Sequence, residues 1–185
     1  ADDYFGRYAH AAGSVDHTRL TEAATMLETA YERGATVYVC GNGGSASISN
    51  HLVCDHSKGG QTDTDLRPKV VSLSTNMEMI TAIANDISFD DIFVYQLRTL
   101  AEDGDMLITI SSSGDSENIV RAAGWAKEKG LHIIALIGGK RGKLADLADN
   151  CIVIEETHYG RAEDCQMGIA HMICYAFMEN PEWAE

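Results

Sequence analysis

Five short runs of aliphatic and β-branched residues, four of them followed by a helix-forming stretch before the next, constrain this chain more than any other feature. They cover about Ala35–Cys40, Lys69–Leu73, Met106–Ile110, His132–Ile137 and Cys151–Ile154. Strands of a parallel sheet read as near-continuous apolar runs, because helices cover both faces of the sheet. Stretches of helical period separate or follow the runs: Met77–Ala84, about Asp90–Leu100, Ser116–Lys129, a short one around Leu144–Ala148 and a long last one, about Glu163–Met178. This alternation predicts an α/β protein, a doubly wound, five-stranded parallel sheet flanked by helices. Ahead of the first strand lie an alanine-rich stretch to Gly13 and a helix bearing Leu20, Ala23, Ala24, Leu27, Ala30 and Tyr31, with Gly34 at its C′ position. Together they form an N-terminal helical segment over about residues 1–34. With 185 residues, 45% of them hydrophobic, one domain over 1–185 is expected.

Composition excludes several classes of function. Fourteen basic against 28 acidic residues leave a net charge of −14, a surface that repels nucleic-acid backbones and anionic membranes. No apolar run approaches the ~20 residues of a membrane span. The chain opens without a basic-then-apolar leader, and its five cysteines (Cys40, Cys54, Cys151, Cys165, Cys174) are odd in number and sit in apolar surroundings. Reduced thiols in a cytoplasmic protein are the expectation. No C-x-x-C is present, which argues against a thiolate zinc site.

Two loops carry the chemistry. After the first run comes Gly41-Asn42-Gly43-Gly44-Ser45-Ala46, with Ser45 placed to cap the helix that follows. Glycines allow a sharp turn and close approach to a ligand, and the free amides and dipole of the helix start favour an anion. The turn also fits the loose dinucleotide pattern, but the next strand ends in Ser72-Leu73-Ser74 rather than in the acid that would hold a ribose, and no Gly-Lys-Ser/Thr follows. The second loop, Ser111-Ser112-Ser113-Gly114-Asp115-Ser116, follows the third strand directly. Its four hydroxyls surround a glycine just ahead of a helix, which is the donor density a phosphate monoester needs; an ordinary serine-rich turn capped by Ser116 is the competing reading. Polar, glycine-bearing Ser57–Pro68 is expected to be a surface loop at the edge of a site.

Taken together, Cys40-Gly41-Asn42-Gly43-Gly44-Ser45-Ala46, Arg67-Pro68, Thr81-Ala82-Ile83-Ala84-Asn85-Asp86 and Ile110-Ser111-Ser112-Ser113-Gly114-Asp115-Ser116 resemble the sugar isomerase (SIS) domain family, and within it the phosphoheptose isomerases. The likeness covers about Leu20–Met178. It implies the SIS fold and an aldose–ketose isomerase that interconverts sedoheptulose 7-phosphate and a D-glycero-D-manno-heptose 7-phosphate. It implies a phosphate held by Ser45, Ser111, Ser113 and Ser116 with Ser112 beside them, at a turn containing Gly43 and Gly44, and a sugar placed by Asn42, Asp86 and Arg67. It further implies zinc or another divalent metal on His51, Asp55, Glu163 and His171, with Asp55 and His171 as the acid–base pair. Homotetramers with sites between subunits complete the expectation. Where the family has Glu and Gln this chain has Asp55 and Glu163, both of which keep an oxygen donor, and Gln166 stands where another His is expected.

The residues themselves leave room for other readings. His51 and Asp55, at i and i+4, share a helix face. Glu163 and His171, two turns apart, point to roughly one side. Singly, His51 reads as a surface or interface histidine, His171 as a core one, and His56 as a rival for His51. A non-catalytic sugar-phosphate sensor or replication-initiator partner would keep the serine loop and lose the acid–base set. A nucleotide-dependent oxidoreductase rests on the glycine turn alone.

Overall fold

A computed structural model describes residues 2–62 and 64–180; Ala1 and Asp63 of the expected helical segment and loop lie outside it. Two helices come first, α1 (Asp2–Gly13) and α2 (His17–Glu32). Asp16 starts α2 by accepting from the Thr18 amide, and Gly34, at φ 67°, ends it while Ala35 N–H donates back to the Ala30 carbonyl. Thereafter strand and helix alternate: β1 (Thr36–Gly41), α3 (Gly44–Cys54), β2 (Lys69–Ser72), α4 (Met77–Asp86), α5 (Val94–Leu100), β3 (Met106–Ser111), α6 (Glu117–Glu128), β4 (His132–Gly138), α7 (Leu144–Leu147), β5 (Asn150–Ile154) and α8 (Tyr159–Glu179).

The five strands are parallel throughout and lie in the order β2-β1-β3-β4-β5. Alternate residues of each strand feed two cores. Val37, Val39, Ile108, Ile110, Ile134, Leu136, Ile152 and Ile154 pack with α2, α3 and α8. Tyr38, Cys40, Leu107, Ile133, Ala135 and Ile137 pack with α4 to α7. A side chain every second residue to each face is the strand's own period, so the apolar runs are buried on both sides.

In three places the chain departs from what its residues suggest. The helix after the glycine turn starts at Gly44, with Gly43 as its N-cap at φ 56°, so Ser45 is not the cap. A glycine reaches positive φ without a Cβ penalty, so the turn closes early and releases the serine for other contacts. Asn85 and Asp86 do not interrupt α4 but complete it. Residues 57–68 do not begin as an open loop. Cys54 passes straight into a π-helical turn, Asp55–Gly59, whose Gly60 N–H reaches back 3.0 Å to the Asp55 carbonyl. His56, Gly59, Gly60, Leu66 and Pro68 are buried.

Candidate active site

The chain order reverses direction between β1 and β3, which is where an open α/β sheet binds ligands, beyond the carboxyl ends of its strands. Gly41 of β1 stands in register with Ile110 of β3, so the glycine turn and the serine loop emerge side by side. A reciprocal amide pair ties them together: Asn42 Nδ2 donates to Asn118 Oδ1 at 2.9 Å, and Asn118 Nδ2 to Asn42 Oδ1 at 3.0 Å. Asn118, in the first turn of α6, was not among the expected residues. Its signal is a polar side chain on the apolar stripe of Ile119, Ala122, Ala123 and Ala126.

Between the loops lies a cleft of about 130 Å³ whose walls include Asn42, Ser45, Ser111, Ser112, Ser113 and Ser116. The loop's shape is held by its own hydroxyls: Ser111 Oγ accepts from the Gly114 amide at 3.1 Å and Ser113 Oγ from the Asp115 amide at 3.2 Å. Gly114, at φ 72°, packs its Cα against the Arg141 carbonyl, where a Cβ has no room. Ser116 caps α6 through its backbone alone, so its hydroxyl makes no cap bond. Ser112 Oγ is buried and has no partner among the described residues. Polar atoms left over in a cavity at a helix start are what an anion would satisfy. Tyr159 and Glu163, both from α8, close the far wall, and Tyr159 was likewise not expected there.

A second cluster lies further along the same two helices. His51 and Asp55 come from the end of α3, and His171 from the middle of α8. The Nε2 atoms of His51 and His171 are 3.0 Å apart, Asp55 Oδ1 is 3.3 Å from His51 Nε2, and Asp55 Oδ2 is 3.5 Å from His171 Nε2. All three ligand atoms lie within 4.8 Å of one another. Asp55 is buried while both imidazoles are partly open, and its Oδ2 makes no hydrogen bond among the described residues. Two imidazole nitrogens converging on a carboxylate with an unused oxygen fit a borderline divalent ion such as zinc.

Glu163 does not join them. Its carboxylate lies over Gly44, at the start of α3, in the space that a Cβ would take. Gln166 is fully buried, its Nε2 donating to the Leu136 carbonyl at 3.0 Å. His56 is not an alternative to His51: it is buried, and its Nδ1 shares a hydrogen with the Tyr31 hydroxyl. Burial lowers its pKa to about 4. Arg67 folds back on the Thr64 and Leu66 carbonyls, Asp86 takes the Asn85 amide at 2.7 Å at the exposed end of α4, and neither lines the cleft of its own chain. Gly43 and Gly44 form the turn between Asn42 and Ser45 and do not line the cleft themselves.

The start of α8 is fixed from outside. Glu156 accepts the Thr157 and His158 amides and pairs with Arg161, and these donors, Arg161 foremost, pull its pKa down to about 2. Arg161 stacks on Tyr4, whose hydroxyl donates to Asp164, so α1 holds α8 in place. From Ser45 to Asp55 is ten residues, about 15 Å of helix rise, and from Glu163 to His171 is eight, about 12 Å. The two helices therefore span the same interval, from the serine cleft to the histidine cluster.

Fold and paired loops define an α/β protein with a hydroxyl-lined cleft at the switch point of its sheet. Residues 3–138 match the family model for the SIS domain. The phosphoheptose isomerase of Rhodospirillum rubrum is 34% identical over 156 residues, covering 84% of this chain and 82% of that one. Solved phosphoheptose isomerase structures from Francisella tularensis and Neisseria gonorrhoeae superpose with TM-scores of 0.87 at 27% and 28% identity, each covering 96% of both chains. The chain belongs to the SIS domain family, within its phosphoheptose isomerase group.

Proposed function

We propose that the protein is an aldose–ketose isomerase that converts sedoheptulose 7-phosphate to D-glycero-D-manno-heptose 7-phosphate. The observation that carries the reading is the meeting of His51, Asp55 and His171 at one end of α3 and α8, with a hydroxyl-lined cleft at the other. Ser45, Ser111, Ser113 and Ser116, with the buried Ser112, take the phosphate, and this anchor holds the reacting carbons in place. Asn42 and Glu163 face the sugar hydroxyls. Beside a phosphate seat, the Glu163 carboxylate is suited to accept from a hydroxyl and repels a second phosphate.

Asp55 removes a proton from C1 of the open-chain ketose while His171 gives one to the C2 oxygen. The cis-enediol then loses its O1 proton as C2 takes one up, leaving the aldose. Each such transfer is worth about 10²–10⁴-fold when geometry and basicity match. Asp55 suits the first step because one of its oxygens has no hydrogen-bond partner. His51, Asp55 and His171 would hold a divalent ion, most simply zinc, which polarises a carbonyl and stabilises enediolate charge when bound.

We further place the protein in the cytoplasm, as one domain acting in a homotetramer with sites between copies. No helix among the described residues is long and apolar enough to cross a membrane. In support of an assembly, the helix that carries Asp86 leaves Met77 65% exposed, with Ile87 and Phe89 just beyond it at 53% and 56%, apolar side chains that a neighbouring copy would cover.

The test is incubation of purified protein with sedoheptulose 7-phosphate in D₂O, with and without added Zn²⁺. Aldose with deuterium at C2 is the expected product. No turnover in either condition, with phosphate binding intact, would reduce the protein to a phosphate receptor.

A further inference from the structure

Asp55 stands where α3 gives way to the π-helical turn: its own N–H still bonds to the His51 carbonyl, and the side chains that follow it are rotated away from their α-helical directions. Single π turns in α-helices occur frequently at functional sites. The far end of this turn is fitted to α8 and to its own backbone: Gly59 lies against Cys174 Sγ and Met178 Sδ, and Gly60 against the His56 carbonyl. Next to Asp55, at its near end, the turn is tied to α2 by a buried polar contact. His56, the residue after Asp55, is 1% exposed and shares a hydrogen with the hydroxyl of Tyr31 on α2. The Tyr31 ring lies 5.9 Å from the His56 ring on one side and 5.9 Å from Phe177 of α8 on the other.

Packing alone does not account for a histidine here. Its Nε2 has no partner among the described residues, and the ring lines a small internal void with Leu27, Leu52, Ile108, Leu136 and Ile173. An aliphatic side chain would fill this space without stranding a polar atom. What the imidazole adds is direction, since a hydrogen bond fixes a ring's orientation where an apolar contact lets it slide.

We propose that the Tyr31–His56 hydrogen bond is a positioning device for Asp55, locking the π turn so that the carboxylate stands between His51 and His171. Neither Tyr31 nor His56 touches the reacting atoms. The inference rests on the assignment of Asp55 above, and its test separates the two.

Tyr31→Phe removes the hydroxyl and keeps the ring. The first readout is the imidazole ¹H–¹⁵N signals of His51 and His171, which report the position of Asp55 with or without a metal. They should shift in the variant, while those of the distant His10 and His132 should not. The second is Co²⁺ titration followed by its visible bands. Affinity should fall ~10–100-fold, the range typical when a partner behind a metal ligand is lost. The third is kinetics, where kcat should fall and KM stay within about twofold. Tyr31→Phe/His56→Leu should be no worse than Tyr31→Phe, because the bond is already gone. If Tyr31→Phe lowers the unfolding temperature and leaves the His51 and His171 signals in place, the pair is structural only and the proposal is overturned. If the parent binds no Co²⁺ but those signals move, the metal assignment fails and the positioning role stands.

Discussion

Lowering the pH should destabilise the metal-free protein through one residue, His56. Its pKa falls from 6.5 to about 4 because burial disfavours the charged ring. The neutral form is therefore the folded form, whereas an unfolded chain takes up a proton below pH 6.5. Stability from this residue is complete above pH 6.5, falls as the pH drops, and levels off near pH 4, where the folded ring also protonates. A difference of about 2.5 units at 1.36 kcal/mol each is about 3 kcal/mol, a large share of the 5–15 kcal/mol that holds a typical domain together. The groups around the ring do not confuse the result. The Tyr31 hydroxyl is shifted well above its usual value and the Cys174 thiol up to about 12, both outside the window. Because His56→Leu would itself move Asp55, the parent and the His56→Leu variant both carry Asp55→Asn, His51→Gln and His171→Gln, which takes those side chains out of the difference. Urea unfolding of both proteins in chelator, at intervals from pH 7 to 4.5, measures it. The parent should lose ~2–3 kcal/mol more than the variant. Parallel curves would refute the reasoning, since they would mean that water reaches the ring or that a partner stabilises its charged form.

Three further outcomes are expected. Asp55→Asn should abolish Co²⁺ binding and lower turnover by ~10²-fold or more, while inorganic phosphate still binds in the serine cleft, as isothermal titration would show. Gly114→Ala adds a Cβ where φ is 72° and the Arg141 carbonyl already stands, so it should cost ~1–3 kcal/mol in urea unfolding and weaken phosphate binding as the loop shifts. Asn118→Ala leaves the Asn42 amide without its partner. It should raise KM for the sugar phosphate several-fold and leave Co²⁺ affinity unchanged, and a loss of both would mean the two ends of the site are not independent.

Much of this arrangement was legible in the residues. The strands came through within a residue or so because β-branched runs buried on both faces have no competing pattern, and Gly34 ended α2 where a positive φ was needed. The serine loop stood out by donor density, whereas His51 and Asp55 were picked out by the family resemblance, their spacing alone reading equally well as a surface pair. Glu163 was misplaced for a geometric reason. Eight residues at about 100° each overshoot two full turns by ~80°, so Glu163 and His171 leave α8 in different directions and reach different parts of the site. The π turn was hidden because Gly59-Gly60 carries the same composition as an open loop, and only packing against Cys174 and Met178 distinguishes the two. Tyr159 and Asn118 became visible only when strand order set β1 beside β3.

On the reading proposed above, α3 and α8, which run alongside each other from the serine cleft to the histidines, act as a ruler by their shared length. A phosphorylated sugar seated at one end presents its carbonyl at the other only if its carbon chain has the right number of atoms. A shorter phosphosugar, gripped just as firmly, would stop short of Asp55 and act as an inhibitor. Inserting a full turn into both helices, rather than reshaping any pocket wall, is then the change that would re-index the protein to a longer chain.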